Sequence, residues 1–231
     1  MSKILNDLVN LWVPRRCFGC NAHLYRGERY LCAFCRHEMP LTEYNFGKEN
    51  DIDRKLYGRC RFEKAVSLLY FERTGLAQTL IHALKYRRIE PIGKFLGTWM
   101  GASLVQDPEL PKIDWVIPVP LHPVKQRKRG YNQCALFGKT LAGILQANWG
   151  ENYLLRKGTG RSQTKENRGL RARNAQAAFQ GENLDQLGNK SVLLVDDVIT
   201  TGATLEACCL ALSETSGKPP RIYIATMAAV L

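Results

Sequence analysis

The chain has 231 residues, 45% of them hydrophobic and 23% charged. This globular composition excludes collagen-like, low-complexity and wholly disordered classes. Lys and Arg outnumber Asp and Glu by 33 to 21, a net charge of +12, so an anionic partner is expected: phosphates, nucleic acid or an acidic membrane surface.

At roughly 150 residues per domain, the length suits one full domain with a small appendage. Met1 to Val13 contains Asn6, Asp7 and Asn10 and lacks a small-residue cleavage site. It reads as a short amphipathic helix and not as a signal peptide. No apolar run approaches the ~20 residues that span a bilayer, so no membrane insertion is expected. The expected compartment is cytoplasmic and reducing. The eight cysteines therefore read as ligands, core residues or thiols before disulfides.

Cys17, Cys20, Cys32 and Cys35 fall within 19 residues. Two CxxC pairs at this spacing supply four thiolates, the ligand set of a closed structural zinc site. A pair of redox dithiols is the weaker reading. His23 and His37 read as surface histidines beside the metal, with substitution as ligands the alternative, and Cys60 reads as a free thiol. A polar stretch from Glu43 to Arg61 follows, and the chain divides near residue 60.

Beyond it, strand-like and helix-like segments alternate. Ala65 to Phe71 predicts a strand. Leu76 to Lys85 repeats Leu76, Leu80, Ile81 and Leu84 at helical spacing. Pro91 opens a second helix that runs over Ile92 to Leu104. Trp115 to Val119 predicts a strand ended by prolines, Ala135 to Leu145 a helix, and Tyr153 to Leu155 a short strand. Lys157 to Arg173 is basic and Gly-punctuated, and reads as a long loop. Val192 to Val195 predicts a buried strand, Leu205 to Leu212 a helix and Ile222 to Met227 a last strand. Such alternation indicates an α/β domain with a largely parallel sheet.

The sharpest motif is Val192-Leu193-Leu194-Val195-Asp196-Asp197-Val198-Ile199-Thr200-Thr201-Gly202-Ala203-Thr204. It reads as a buried strand whose frayed end carries two carboxylates, followed by a hydroxyl-rich turn that opens a helix. Carboxylates accept from vicinal sugar hydroxyls and can hold Mg²⁺ through water. The turn offers N–H groups and the positive end of a helix dipole to a phosphate. Gly202 would admit the anion close to the backbone. The segment suits a phosphorylated ribose; a strand with a plain Thr N-cap is the bland alternative.

These residues resemble the phosphoribosyl diphosphate (PRPP) signature of type I phosphoribosyltransferases at every position. Val119-Pro120-Leu121-His122-Pro123, Arg127 to Gln133, Leu84-Lys85-Tyr86, and Gln163 followed by Arg171, Asn174, Ala178 and Phe179 are similar to the competence protein ComF/GntX family. The paired-cysteine knuckle fits the same family. The resemblance implies a type I phosphoribosyltransferase-like open, largely parallel sheet flanked by helices. Residues 1–60 would form a zinc-binding segment and 61–231 the phosphoribosyltransferase-like domain. It implies PRPP binding at Asp196, Asp197, Thr200, Thr201, Gly202, Ala203 and Thr204. Diphosphate would lie against Val119 and Pro120, with Lys85, Arg127, Arg129 and Arg171 as basic partners and Mg²⁺ accompanying PRPP. The 157–173 loop would close over the site.

From Pro120 to Ala175 twelve Lys and Arg face only Glu151 and Glu166. That charge exceeds the need of one small ligand. Tyr131, Tyr86 and Phe179 interleave with it, as in grooves that hold single strands. His82 reads as a partly buried structural histidine. Cys208 and Cys209 read as one packed and one partly exposed thiol. No catalytic residue is assigned. The family resemblance implies a cytosolic factor of DNA uptake or DNA utilisation that binds PRPP or a ribose phosphate and single-stranded DNA. Helicase, recombination or other competence proteins would be its partners. The alternatives are an active phosphoribosyltransferase and a PRPP- or nucleotide-sensing regulator.

Overall fold

The computed structural model describes residues 15–157, 178–215 and 217–231. The amphipathic helix expected over Met1 to Val13 lies outside the described residues, as do Arg171 and all of the basic loop except Lys157.

The described residues open with a four-cysteine knuckle that contains α1 (Ala33–His37), and α2 (Asp51–Leu56) follows. Asn50 caps α2: its side chain accepts from the N–H groups of Ile52 and Asp53, and Asp53 accepts from Asn50 N. This reciprocal capping box starts a helix too short to persist unaided. Then come β1 (Lys64–Tyr70), α3 (Leu76–Tyr86), α4 (Pro91–Val105), β2 (Trp115–Pro118), α5 (Pro123–Arg129) and α6 (Gln133–Ile144). After β3 (Asn148–Trp149), β4 (Leu154–Arg156) pairs antiparallel with β5 (Phe179–Gly181). A 3₁₀ turn (Leu184–Leu187), β6 (Ser191–Ile199), α7 (Ala203–Ser213) and β7 (Arg221–Ala229) complete the fold.

Among the described residues, five strands form one parallel sheet in the order β1-β7-β6-β2-β3. The central strands β6 and β7 are buried along nearly their whole length, as expected of a parallel sheet covered on both faces. One face packs against α3, α4 and α6 through residues such as Leu80, Leu84, Leu96 and Phe137, and the knuckle joins this layer through Cys17, Leu31 and Cys35. The other face packs against α2 and α7 through Ile52, Leu56, Leu205 and Leu212. α4 crosses α6 closely: a Cβ on Gly97 would sit 2.8 Å from Phe137 O.

The expected open parallel sheet with flanking helices and a small four-Cys knuckle is therefore what the chain forms. Three local expectations are corrected. The acidic pair does not lie at the end of its strand. β6 runs on to Ile199 because it stays paired with β7 through Ile199↔Ala229, whereas β2 stops at Pro118↔Val195. His82 is exposed and its ring lies tilted against Tyr86, with ring centroids 4.6 Å apart. Cys208 and Cys209 are both fully buried, because both lie inside the apolar cluster to which α7 belongs, where Cys209 meets Cys60.

Candidate functional site

The strand order locates a crevice. The connection after β6 runs through α7 to β7 on one side, and the connection after β2 runs through α5 and α6 to β3 on the other. β2 and β6 are neighbours whose loops diverge at their carboxyl ends, which is a topological switch point, the place where open α/β sheets hold ligands. Val119 and Pro120 leave β2 there. Asp196 and Asp197 stand on the neighbouring β6, and the turn Thr200–Thr201–Gly202 follows its end.

Pro118 ends the pairing of β2, and Val119 N donates to Val195 O at 2.9 Å as the last link. Asp196 and Asp197 follow at once, on a strand that now has a neighbour on one side only. Asp196 turns back on itself, so that its Oδ1 accepts from Asp197 N at 2.8 Å. The Cys134 thiol donates to the same oxygen at 3.7 Å. Asp197 Oδ1 lies 2.8 Å from Lys85 Nζ at the end of α3. Asp197 Oδ2 accepts from Gln133 Nε2 at 2.5 Å. Gln133 Oε1 in turn accepts from Arg129 Nη1 at 2.8 Å, and the Arg129 guanidinium lies 5.3 Å from the Tyr86 ring centre. A continuous polar chain thus runs from β6 to α5.

Burial dominates the electrostatics. Removal from water, aided by the Asp197 charge, pushes the Asp196 carboxyl up to about 7; the Asp197 N–H, Lys85 and the Cys134 thiol pull the other way. Burial beside both carboxylates raises the Cys134 thiol well above its ordinary range. It therefore remains a donor to Asp196.

The turn beyond β6 has Gly202 as N-cap of α7, with φ +79° and no side-chain acceptor. The first-turn amides of α7 thus have no side-chain cap, the condition in which a helix N-terminus receives an anion. Thr200 and Thr201 are exposed, and Ala203 and Thr204 half-buried.

α5 occupies the segment where the sequence suggests only a basic turn. It buries no residue, so no apolar periodicity announces it. His122 Nδ1 accepts from Val124 N as N-cap, Pro123 holds the first position and Gly130 ends the helix at φ +85°. These caps were legible in the sequence. Lys125, Arg127 and Lys128 are exposed on it, and Arg129 alone of the cations turns inward. Gln133 and Cys134 were missed: neither residue type signals a carboxylate partner without the fold.

In the knuckle, the four sulfur atoms lie within 4.8 Å of one another. Cys20 Sγ and Cys32 Sγ are 3.7 Å apart, against the edge of about 3.8 Å that four Zn–S bonds of about 2.3 Å require of a tetrahedron. Gly19 N and Cys32 N donate to Cys17 Sγ at 3.4 and 3.3 Å, and Cys35 N to Cys32 Sγ at 3.4 Å. Such donors suit thiolates, and this geometry can hold a metal. His23 and His37 are exposed. Among the described residues no helix is long and apolar enough to cross a membrane.

No family model matches the sequence. Competence protein F of Haemophilus influenzae is 29% identical over 208 residues, covering 82% of this chain and 87% of that protein. DNA utilization protein YhgH is 31% identical over 207 residues in Salmonella typhi and 32% over 209 in Escherichia coli O157:H7, in both cases across 84% of this chain and 89% of the relative. Among solved structures, adenine phosphoribosyltransferase from Leishmania tarentolae matches with a TM-score of 0.38 and 14% identity, over 78% of this chain and 88% of that one. A likeness that loose adds nothing to the strand order described above.

Proposed function

The chain belongs to the ComF family, that of competence protein F and DNA utilization protein YhgH, and from this premise we propose that it serves DNA uptake or DNA utilisation by binding PRPP or a related ribose phosphate together with single-stranded DNA. One observation carries the reading. A carboxylate pair on β6 is followed directly by an uncapped helix N-terminus, and Gln133 and Arg129 tie the same pair to a cationic helix.

The chemistry divides along that crevice. Asp196 and Asp197 accept from the vicinal ribose hydroxyls. The turn of Thr200, Thr201, Gly202, Ala203 and Thr204 takes the 5′-phosphate through its N–H groups. Val119 and Pro120 border the diphosphate, with Arg129 and Lys85 as its nearest cations and Mg²⁺ arriving with PRPP. Arg171 joins them only by its position in the sequence. Arg127 and its neighbours face outward, where a phosphodiester backbone would lie, and the exposed Tyr86 offers a stacking surface beside them. Four thiolates without an open position suit structural zinc rather than a catalytic metal. Helicase or recombination proteins of DNA uptake are the protein partners that this role implies.

The test is calorimetry with PRPP and Mg²⁺, followed by anisotropy with a labelled single-stranded oligonucleotide. Asp196→Asn with Asp197→Asn should abolish PRPP binding in a chain that still folds. Equal affinity in that variant would remove the site. Release of diphosphate from PRPP in the presence of a nucleobase would turn the reading towards an active transferase. Binding of PRPP without effect on DNA would turn it towards a sensor.

A further inference from the structure

The turn between β6 and α7 is held from outside the sheet by α2 and the residues after it. Lys55 Nζ donates to Thr200 O at 2.9 Å and also to Val230 O. Arg59 Nη1 donates to Thr201 O at 2.5 Å. Its Nε and Nη2 reach Glu206 Oε2 at 3.0 and 2.5 Å. Two successive carbonyls of the turn thus each carry a cation, one from α2 and one from the segment just after it.

A trans peptide is planar, and its C=O and N–H point to opposite sides. The carbonyl of Thr200 shares its peptide with the N–H of Thr201. The carbonyl of Thr201 shares its peptide with the N–H of Gly202. Fixing both carbonyls against Lys55 and Arg59 therefore turns both N–H groups away from α2. Gly202 permits the approach: a Cβ there would lie 2.7 Å from Leu56 Cδ2 and 3.3 Å from Arg59 Nη1. Arg59 also neutralises Glu206, whose carboxylate sits in the first turn of α7 and would otherwise oppose a bound anion.

α2 itself is anchored elsewhere. Lys64 Nζ lies 2.5 Å from Asp53 Oδ2, and Asp53 Oδ1 accepts from Ala65 N at 3.0 Å. Ile52 and Leu56 are fully buried. Lys55 is thus held against β1 on its helix before any ligand arrives, and Arg59 is tied to the end of that helix, its N–H donating to Leu56 O at 3.1 Å and its Nη1 to Lys55 O at 3.3 Å.

We propose that Lys55 and Arg59 are positioning residues for the 5′-phosphate: from behind the turn they preset the amides that receive it. This rests on the reading that the 200–204 turn takes a phosphate. Without the two cations the turn would have to be ordered by the ligand, at a cost in affinity.

The probe is ribose 5-phosphate, titrated calorimetrically into the full chain. Lys55→Met is one variant. Arg59→Met combined with Glu206→Gln is the second, since it leaves no carboxylate stranded. Ile113→Ala is the control: it opens a cavity at the amino end of the sheet, away from α2 and the turn. The two positioning variants should weaken ribose 5-phosphate about 10-fold or more, the value of one charge-assisted hydrogen bond. Ile113→Ala should lower the melting temperature and leave affinity unchanged. Arg59→Lys, which keeps the charge and a donor, should recover part of the loss. Unchanged affinity in Lys55→Met and in the Arg59/Glu206 variant overturns the inference, and so does an equal loss in Ile113→Ala, because affinity would then merely follow stability. Failure of the unmodified chain to bind ribose 5-phosphate at all would bring down the ligand reading itself.

Discussion

Lys85 Nζ lies 2.8 Å from Asp197 Oδ1 and joins the last turn of α3 to the acidic segment of β6. Both side chains are largely buried, with 19% and 10% of their surface exposed. Two adjacent carboxylates thus share one close cation in a place that water hardly reaches.

Removing that cation should be costly. Lys85→Met leaves Asp197 buried without its counter-charge, and breaking such a pair from one side costs about 3–5 kcal/mol. Lys85→Met with Asp197→Asn removes both charges and should recover most of the stability. Urea unfolding at pH 7 reads both. A single variant as stable as the parent would mean that water already satisfies Asp197.

The raised carboxyl of Asp196 makes stability depend on pH. In the native state it titrates at about 7, against an ordinary value of 3.8. Between these values the native chain holds a proton that the unfolded chain has released. The contribution of this group to stability therefore falls as pH rises through that window and levels off above it. Asp196→Asn removes the titrating carboxyl. Unfolding free energies compared at pH 5 and pH 8 should differ less in the variant than in the parent. An identical difference in both would place the titration elsewhere.

Much of this architecture could be read from residues, and the misses share a physical cause. β6, β7, α3, α4 and α7 carry continuous or periodic apolar patterns, since each buries a whole face against the sheet. α2 and α5 carry none. α2 buries only Ile52 and Leu56 among charges, and α5 buries nothing. Their signals were caps, Asn50 with Asp53 and His122-Pro123 with Gly130. The acidic pair was legible as a motif but not in its setting. Only strand pairing shows β6 continuing beyond its partner β2, and only the packed fold brings Gln133, Cys134 and Lys85 to the carboxylates.

The knuckle offers a separable test of its metal. Cys17 and Cys35 are buried in the core with α3 and α4, whereas Cys20 is exposed. Cys20→Ser should lose zinc with little loss of packing. Cys17→Ser should lose zinc and also lower the stability of the α3–α4 layer. Elemental analysis of the purified chain should find about one zinc per molecule, and a chelator should lower its melting temperature. A metal-free parent chain would dispose of the site.

The outward cations of α5 should govern the salt dependence of DNA binding. Arg127 and Lys128 are exposed, whereas Arg129 is tied to Gln133 and Tyr86, so the first two can be changed without disturbing the crevice. Each phosphate contact on a single strand contributes about 0.7 to the slope of log K against log salt. Arg127→Ala with Lys128→Ala should therefore lower the steepness by about 1.4 if both contact phosphates. Affinity should fall for every oligonucleotide sequence alike, because such contacts read charge and not bases. PRPP affinity should not change. An unaltered slope would take Arg127 and Lys128 out of the interface.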